Sequence, residues 1–140
     1  MSPLRCILLV DDDPTTNYLN RKLLVSMGAS GEVLTALNGQ EALAILNAKF
    51  QQVDATCPDL IFLDVNMPLM NGFEFLDAYR QLPAEQQGAT VVVMLTTSLH
   101  PRDVERAQQL PVSGFLTKPL TREKVSEIIG GHFTALPGGN

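Results

Sequence analysis

In the stretch Asp59 to Phe75, DLIFLDVNMPLMNGFEF, four apolar residues from Leu60 to Leu63 run without alternation into Asp64. An unbroken apolar run of this length fits a strand buried on both faces better than a half-exposed one. Asp64 then stands at the strand's carboxyl end. Asn66, Pro68, Asn71 and Gly72 follow as turn formers, and Phe75, Leu76, Tyr79 and Leu82 recur at helical spacing, which predicts a helix ending near Leu82. A carboxylate in the crevice where open α/β sheets bind ligands is placed for chemistry rather than packing. An isolated aspartate there would more often cap a loop, so its company in the rest of the chain decides.

The composition narrows the function classes. With 140 residues, 45% hydrophobic and 18% charged, the chain reads as one ordered globular domain able to bury a core without staples. Its net charge of -5, with ten scattered Lys and Arg, disfavours nucleic acid, which needs a clustered basic face. Cys6 and Cys57 form no C-x-x-C pair and read as reduced packing residues rather than zinc ligands or a disulfide. No apolar window is long enough for a membrane span, and the start does not read as a signal peptide, so the expected location is cytoplasmic.

Outward from the central stretch, Ile7 to Val10 is a first buried strand that stops at Asp11-Asp12-Asp13-Pro14. Asp13 suits a helix cap and Pro14 the first helical position, with Leu19, Leu23 and Met27 marking the inward face and Gly28 the stop. Asp11 and Asp12 have no such structural reason, and adjacent carboxylates repel, so a cation is the natural resolution. Val33 and Leu34 form a short second strand. Asn38 and Glu41 have capping-box spacing before an apolar helical face of Ala42, Leu43, Ile45 and Leu46. Residues 47 to 58 read as an extended helix end or surface loop.

Val91 to Leu95 is a fourth strand ending at Thr96, and Pro101 opens a polar helix with only Val104, Ala107 and Leu110 as its apolar stripe. That helix is expected to be the least firmly packed. Gly114 to Thr117 is a fifth strand ending at Lys118-Pro119. Thr121 caps a last helix whose Val125, Ile128 and Ile129 face inward, and Gly130-Gly131 read as its end. A β-α period repeated five times predicts a doubly wound parallel sheet with helices on both faces, strand order 2-1-3-4-5. That order brings Asp11, Asp12, Asp64, Thr96 and Lys118 to one edge.

Three carboxylates, a hydroxyl and an ammonium converging from four strands suit a hard cation and a phosphoryl group. Mg²⁺ takes oxygen ligands and keeps part of its water, with Asp12 and Asp64 as candidate direct ligands and Asp11 one step removed. A carboxylate can also attack phosphorus to form an acyl phosphate. Lys118 would neutralise charge on the transferring group, and the Thr96 hydroxyl could bond a phosphoryl oxygen.

The chain resembles the receiver domain of bacterial two-component response regulators, in ILLVDDDP (Ile7 to Pro14), DLIFLDVNMPLMNG (Asp59 to Gly72), VVVMLTTS (Val91 to Ser98) and GFLTKPLT (Gly114 to Thr121). The resemblance implies a flavodoxin-like receiver over residues 5–133, followed by a short flexible tail, 134–140, and no output domain. It implies that Asp64 is the phosphoacceptor, that Asp11, Asp12, Asp64 and the Asn66 backbone carbonyl hold Mg²⁺ or Mn²⁺, and that Thr96, Lys118 and Phe115 sense the phosphoryl group. The Lys118-Pro119 bond is expected to be cis. Asn66 and Ser98, each two residues past a site residue, are candidates for setting the phosphoryl lifetime.

The implied function is a stand-alone switch, not an enzyme acting on other molecules. It would be phosphorylated by a histidine kinase or a histidine phosphotransfer protein and would signal by protein contact. Thr16, Asn17, Tyr18 and Asn20 are candidates for the kinase face. The helix from Pro101 and the fifth strand are candidates for an output or homodimer face. Two alternatives are a phosphorylation-independent interaction module and an aspartyl-phosphate hydrolase. The second is disfavoured because Asn66 stands where such hydrolases carry a second acid.

Overall fold

The computed structural model describes residues 4–50, 58–67, 69–83, 90–97, 101, 102, 105, 109 and 112–133. Five strands, β1 (Leu4–Val10), β2 (Ser30–Ala36), β3 (Leu60–Asp64), β4 (Val91–Thr96) and β5 (Gly114–Thr117), pair in parallel in the order β2-β1-β3-β4-β5. Four helices complete the described architecture: α1 (Pro14–Met27), α2 (Gly39–Phe50), α3 (Gly72–Arg80) and α4 (Arg122–Phe133). The expected order is the observed one.

The lack of alternation in the central strands has a direct cause. Successive side chains of a strand point to opposite faces, so a strand covered on both sides needs apolar residues throughout. Leu8, Val10, Ile61, Leu63 and Met94 pack on one face with Ala42 and Leu46 of α2 and Phe75 and Leu76 of α3. Ile7, Leu9, Leu60, Phe62, Val93 and Leu95 pack on the other with Leu24 of α1 and Val125, Ile128 and Ile129 of α4. The edge strands β2 and β5 are only partly buried, with Val33 and Ala36 the buried residues of β2.

Several local readings change. β1 begins at Leu4 and β2 spans Ser30–Ala36, both longer than their most apolar cores. α3 stops at Arg80, two residues short of Leu82. α4 continues through Gly130 and Gly131 to Phe133, because the two buried isoleucines just before them hold the helix to the sheet against the glycines' poor propensity. On α1 Leu23 and Met27 pack against the core as expected, but the most deeply buried residues are Asn17 and Leu24, and Leu19 is exposed. Gly28 does end α1, in a left-handed conformation with φ 62°. Asn38 caps α2 through a bond from the Glu41 amide, while the Glu41 carboxylate reaches back to the Leu37 amide. Cys6 is buried and free, and burial pushes its thiol up to about 11, which keeps it unreactive. Cys57, the apolar stripe Val104, Ala107 and Leu110, most of the helix from Pro101, and the tail from residue 134 lie outside the described residues.

Gly72 shows how tightly the chain turns after β3. A Cβ there would meet the Asp64 carbonyl oxygen at 2.5 Å and the Met94 Cε at 2.9 Å, and the Gly72 amide bonds the Val65 carbonyl at 2.9 Å. Gly72→Ala is therefore expected to cost about 2 kcal/mol in urea unfolding, because backbone next to the acidic edge must move. A midpoint equal to wild type would show that the turn has slack.

Candidate functional site

Because β1 and β3 are neighbours at the centre of the sheet, their carboxyl ends deliver Asp11, Asp12 and Asp64 to one point. One carboxylate oxygen from each lies within 4.8 Å of the others, with Asp11 and Asp64 buried and Asp12 exposed. Asp11 is 3% exposed and Asp64 5%. Lys118, at the end of β5, reaches in from the side, its Nζ donating to Asp11 Oδ2 at 2.6 Å and lying 3.4 Å from Asp64 Oδ1. The Lys118-Pro119 bond is cis. The Lys118 amide donates to the Thr96 carbonyl at 2.7 Å, which ties the ends of β4 and β5 together.

The electrostatics follow from this crowding. Burial, and then the charge of Asp11, push Asp64 up from 3.8 to about 6, although Lys118 and the Asn66 backbone N–H bond the charged form. Burial works against the Lys118 ammonium, but the hydrogen bond it donates to Asp11 and the charges of Asp64 and Asp11 outweigh it and raise its pKa above the ordinary lysine value. One ammonium facing three carboxylates leaves the edge short of positive charge. The donor set, carboxylate oxygens only and half-open to solvent through Asp12, suits a hard divalent cation of the Mg²⁺ kind.

The remaining expected residues are distributed unevenly. Thr96 ends β4 at the same edge and is buried. Asn66 follows Asp64 in the loop and its side is exposed. Phe115 is half-buried in β5, facing Met94 in register and packing against the α2–α3 core. It does not join the acidic cluster, since its side chain serves the sheet face. Ser98 lies outside the described residues. Of the residues expected to form a kinase face, Tyr18 is exposed and Thr16 and Asn20 are half-exposed, but Asn17 is 3% exposed.

Asn17 is the residue that sequence reasoning misplaced. Its Nδ2 donates to the Asp11 carbonyl at 2.9 Å and to the Ala36 carbonyl at 3.1 Å. Its Oδ1 is buried without a partner among the described residues, an arrangement that costs about 1–3 kcal/mol. The signal that would have found it is its spacing of seven from Leu24, two helical turns along one face.

Comparison with known proteins agrees with this geometry. The family model for the response regulator receiver domain matches residues 7–130. The chain is 32% identical over 130 residues to a probable chemotaxis protein CheY of Rhizobium etli, covering 93% of each chain. It is 30% identical over 130 residues to response regulator Rcp1 of Synechocystis sp., covering 93% of this chain and 87% of that one. A two-component response regulator from Cytophaga hutchinsonii superposes with a TM-score of 0.85 at 28% identity, covering 94% of this chain and 98% of the other. A doubly wound sheet whose central strand ends bring three aspartates to one lysine, together with a family match spanning nearly the whole chain, means that this chain belongs to the response-regulator receiver family.

Proposed function

We propose that the protein is a phosphorylation switch that accepts a phosphoryl group on Asp64 from a phosphohistidine of a kinase or phosphotransfer partner, and that it works in the cytoplasm. The observation that carries this is the buried Asp64 carboxylate, 3.4 Å from the Lys118 ammonium and clustered with Asp11 and Asp12. A carboxylate oxygen of Asp64 forms a bond to phosphorus as the phosphorus–nitrogen bond of the donor breaks. The leaving imidazole keeps the electron pair and takes up a proton. Asp11, Asp12, Asp64 and the Asn66 carbonyl would hold Mg²⁺ or Mn²⁺, which when bound supplies positive charge to the phosphoryl oxygens. Lys118, released in part from Asp64 once that carboxylate is esterified, pairs with the phosphoryl oxygens, and the Thr96 hydroxyl turns to them.

The donor is received beside α1. Thr16, Leu19, Asn20 and Leu23 line a cleft of ≈ 340 Å³ with Lys118, Pro119 and Leu120, and Tyr18 stands exposed on the same helix. The movement of Thr96 passes through β4 to β5 and Phe115, and from there to a protein target or a second copy at the β5 side. Asn66, two residues after Asp64, and Ser98, two residues after Thr96 in sequence, set how long the phosphoryl group persists.

Intact-protein mass after incubation with acetyl phosphate, with Mg²⁺ or with chelator, tests this reading on wild type and Asp64→Asn. A single phosphoryl adduct requiring both Mg²⁺ and Asp64 is expected. No adduct under conditions that modify another receiver would leave a phosphorylation-independent binding module, and an adduct surviving in Asp64→Asn would move the acceptor elsewhere.

A further inference from the structure

We propose that Asn17 is a positioning residue for the metal site: it grips both ends of the Asp11–Asp13 turn and so fixes the Asp12 carboxylate where it meets Asp64. The inference rests on the cation-binding reading given above and assigns it a residue outside the acidic cluster.

The turn that carries Asp12 is held by several bonds, including the Thr15 amide and the Thr16 hydroxyl, which donate to the Asp13 carboxylate at 3.0 and 2.9 Å. Within it, the Asp13 amide donates to Asp11 Oδ1 at 2.9 Å, and Lys118 holds Asp11 Oδ2. Two more bonds come from Asn17, one from its side chain and one from its backbone. Asn17 Nδ2 donates to the Asp11 carbonyl at 2.9 Å, and the Asn17 backbone N–H donates to the Asp13 carbonyl at 3.1 Å. Asp12 lies between these two carbonyls and is exposed. Its position follows from its flanking residues: Asp11 is anchored by the Asn17 side chain, and Asp13 by the first backbone bond of α1 and by Thr15 and Thr16.

Two features separate this role from ordinary strand pairing. The ends of β1 and β2 are already joined by the Asp11 amide to the Ala36 carbonyl at 3.0 Å, so the sheet ladder is closed without Asn17. The amide orientation is also fixed by chemistry. Nδ2 faces two carbonyl oxygens, and a flipped amide would set oxygen against oxygen. The side chain therefore sits in a buried position with Oδ1 unpartnered among the described residues, which fits a residue kept for its donor end. A carboxylate brought repeatedly to one place binds a cation more tightly than one that must be ordered first, as with groups that orient metal ligands from outside the coordination sphere.

Isothermal titration with Mg²⁺ on the full chain, without phosphodonor, tests the proposal in wild type, Asn17→Leu and Leu24→Ala. Leu fills much of the same volume without donors. Leu24 is fully buried on the same face of α1 but makes no contact with the turn through hydrogen bonds, so Leu24→Ala serves as a control for general loosening. Asn17→Leu is expected to weaken Mg²⁺ binding by about tenfold or more, with Leu24→Ala unchanged. Adduct formation by Asn17→Leu with acetyl phosphate should recover at saturating Mg²⁺, which a collapsed site would not allow. Should Asn17→Leu fail to fold, Asn17→Ser, which keeps one short donor, is expected to weaken binding in the same sense. Unchanged affinity in whichever Asn17 variant folds would overturn the proposal, as would equal weakening by Leu24→Ala. Absence of Mg²⁺ binding by wild type would instead overturn the metal reading itself.

Discussion

Replacing Lys118 by Met is expected to destabilise the metal-free protein by about 3 kcal/mol at pH 8, read from urea unfolding in chelator. Met keeps most of the stem and removes the charge. Lys118 bonds Asp11 at 2.6 Å and lies 3.4 Å from Asp64, and both acids are buried, so its loss leaves two carboxylates facing each other without a cation. The Lys118 pKa is raised, so its stabilisation is fully present below the ordinary lysine value and lost only as pH rises past the folded one. The ammonium is thus constant between pH 4 and 8, and any pH dependence of the deficit comes from the acids. As Asp64 takes up its proton toward pH 4 the deficit should shrink, and at pH 8 Mg²⁺ should restore part of it by binding only the folded state. A deficit equal at pH 4 and pH 8 would mean that lost packing, not charge, is responsible.

Asp64→Asn carries the opposite sign. Burial and Asp11 hold Asp64 at about 6 in the folded chain, above its ordinary value of 3.8. Between those values the folded state keeps a proton that the unfolded chain releases. The stability contributed by that proton is fully present below pH 3.8 and is lost as pH rises through about 6. A difference of roughly two pH units corresponds to about 3 kcal/mol. In chelator at pH 7.5, Asp64→Asn should therefore be more stable than wild type by about 2–3 kcal/mol, with the two converging near pH 4. Mg²⁺ should narrow the difference by stabilising wild type more. Thermal or urea unfolding across this range tests the pair, and an Asn variant weaker than wild type at pH 7.5 would falsify the electrostatic account. The site is in this sense strained by its own charge, which is the condition in which a divalent cation relieves it.

The acidic edge was legible because each of its residues ends an apolar run. Leu63 precedes Asp64, Val10 precedes Asp11 and Leu95 precedes Thr96, and the parallel order then places those ends together. The central strands were legible for the same reason, since burial on both faces removes alternation. The edges were less so. β2 extends from Ser30 to Ala36, yet only Val33 and Leu34 stand out as apolar neighbours, because backbone pairing to β1 rather than side-chain burial carries its first residues. Gly130-Gly131 resembled a helix end, but Ile128 and Ile129 in the core decide there against local propensity.

The sequence by itself determined the succession of strands and helices, the side of the sheet on which chemistry gathers, and which carboxylates meet there. These follow from periodicity and from where each apolar run stops, both local properties of the chain. The tertiary structure alone decided how α1 is turned about its axis. Asn17 and Leu19 are two residues apart, about 200° around the helix, so only one of them can face the sheet. Hydrophobicity favours Leu19. The structure places Asn17 inside, because that point of the sheet presents the carbonyls of Asp11 and Ala36, and only a donor can satisfy buried carbonyl oxygens. The spacing from Leu24 marks a shared face, but the need for a donor there arises only from the meeting of two strand ends and a helix far apart in the chain.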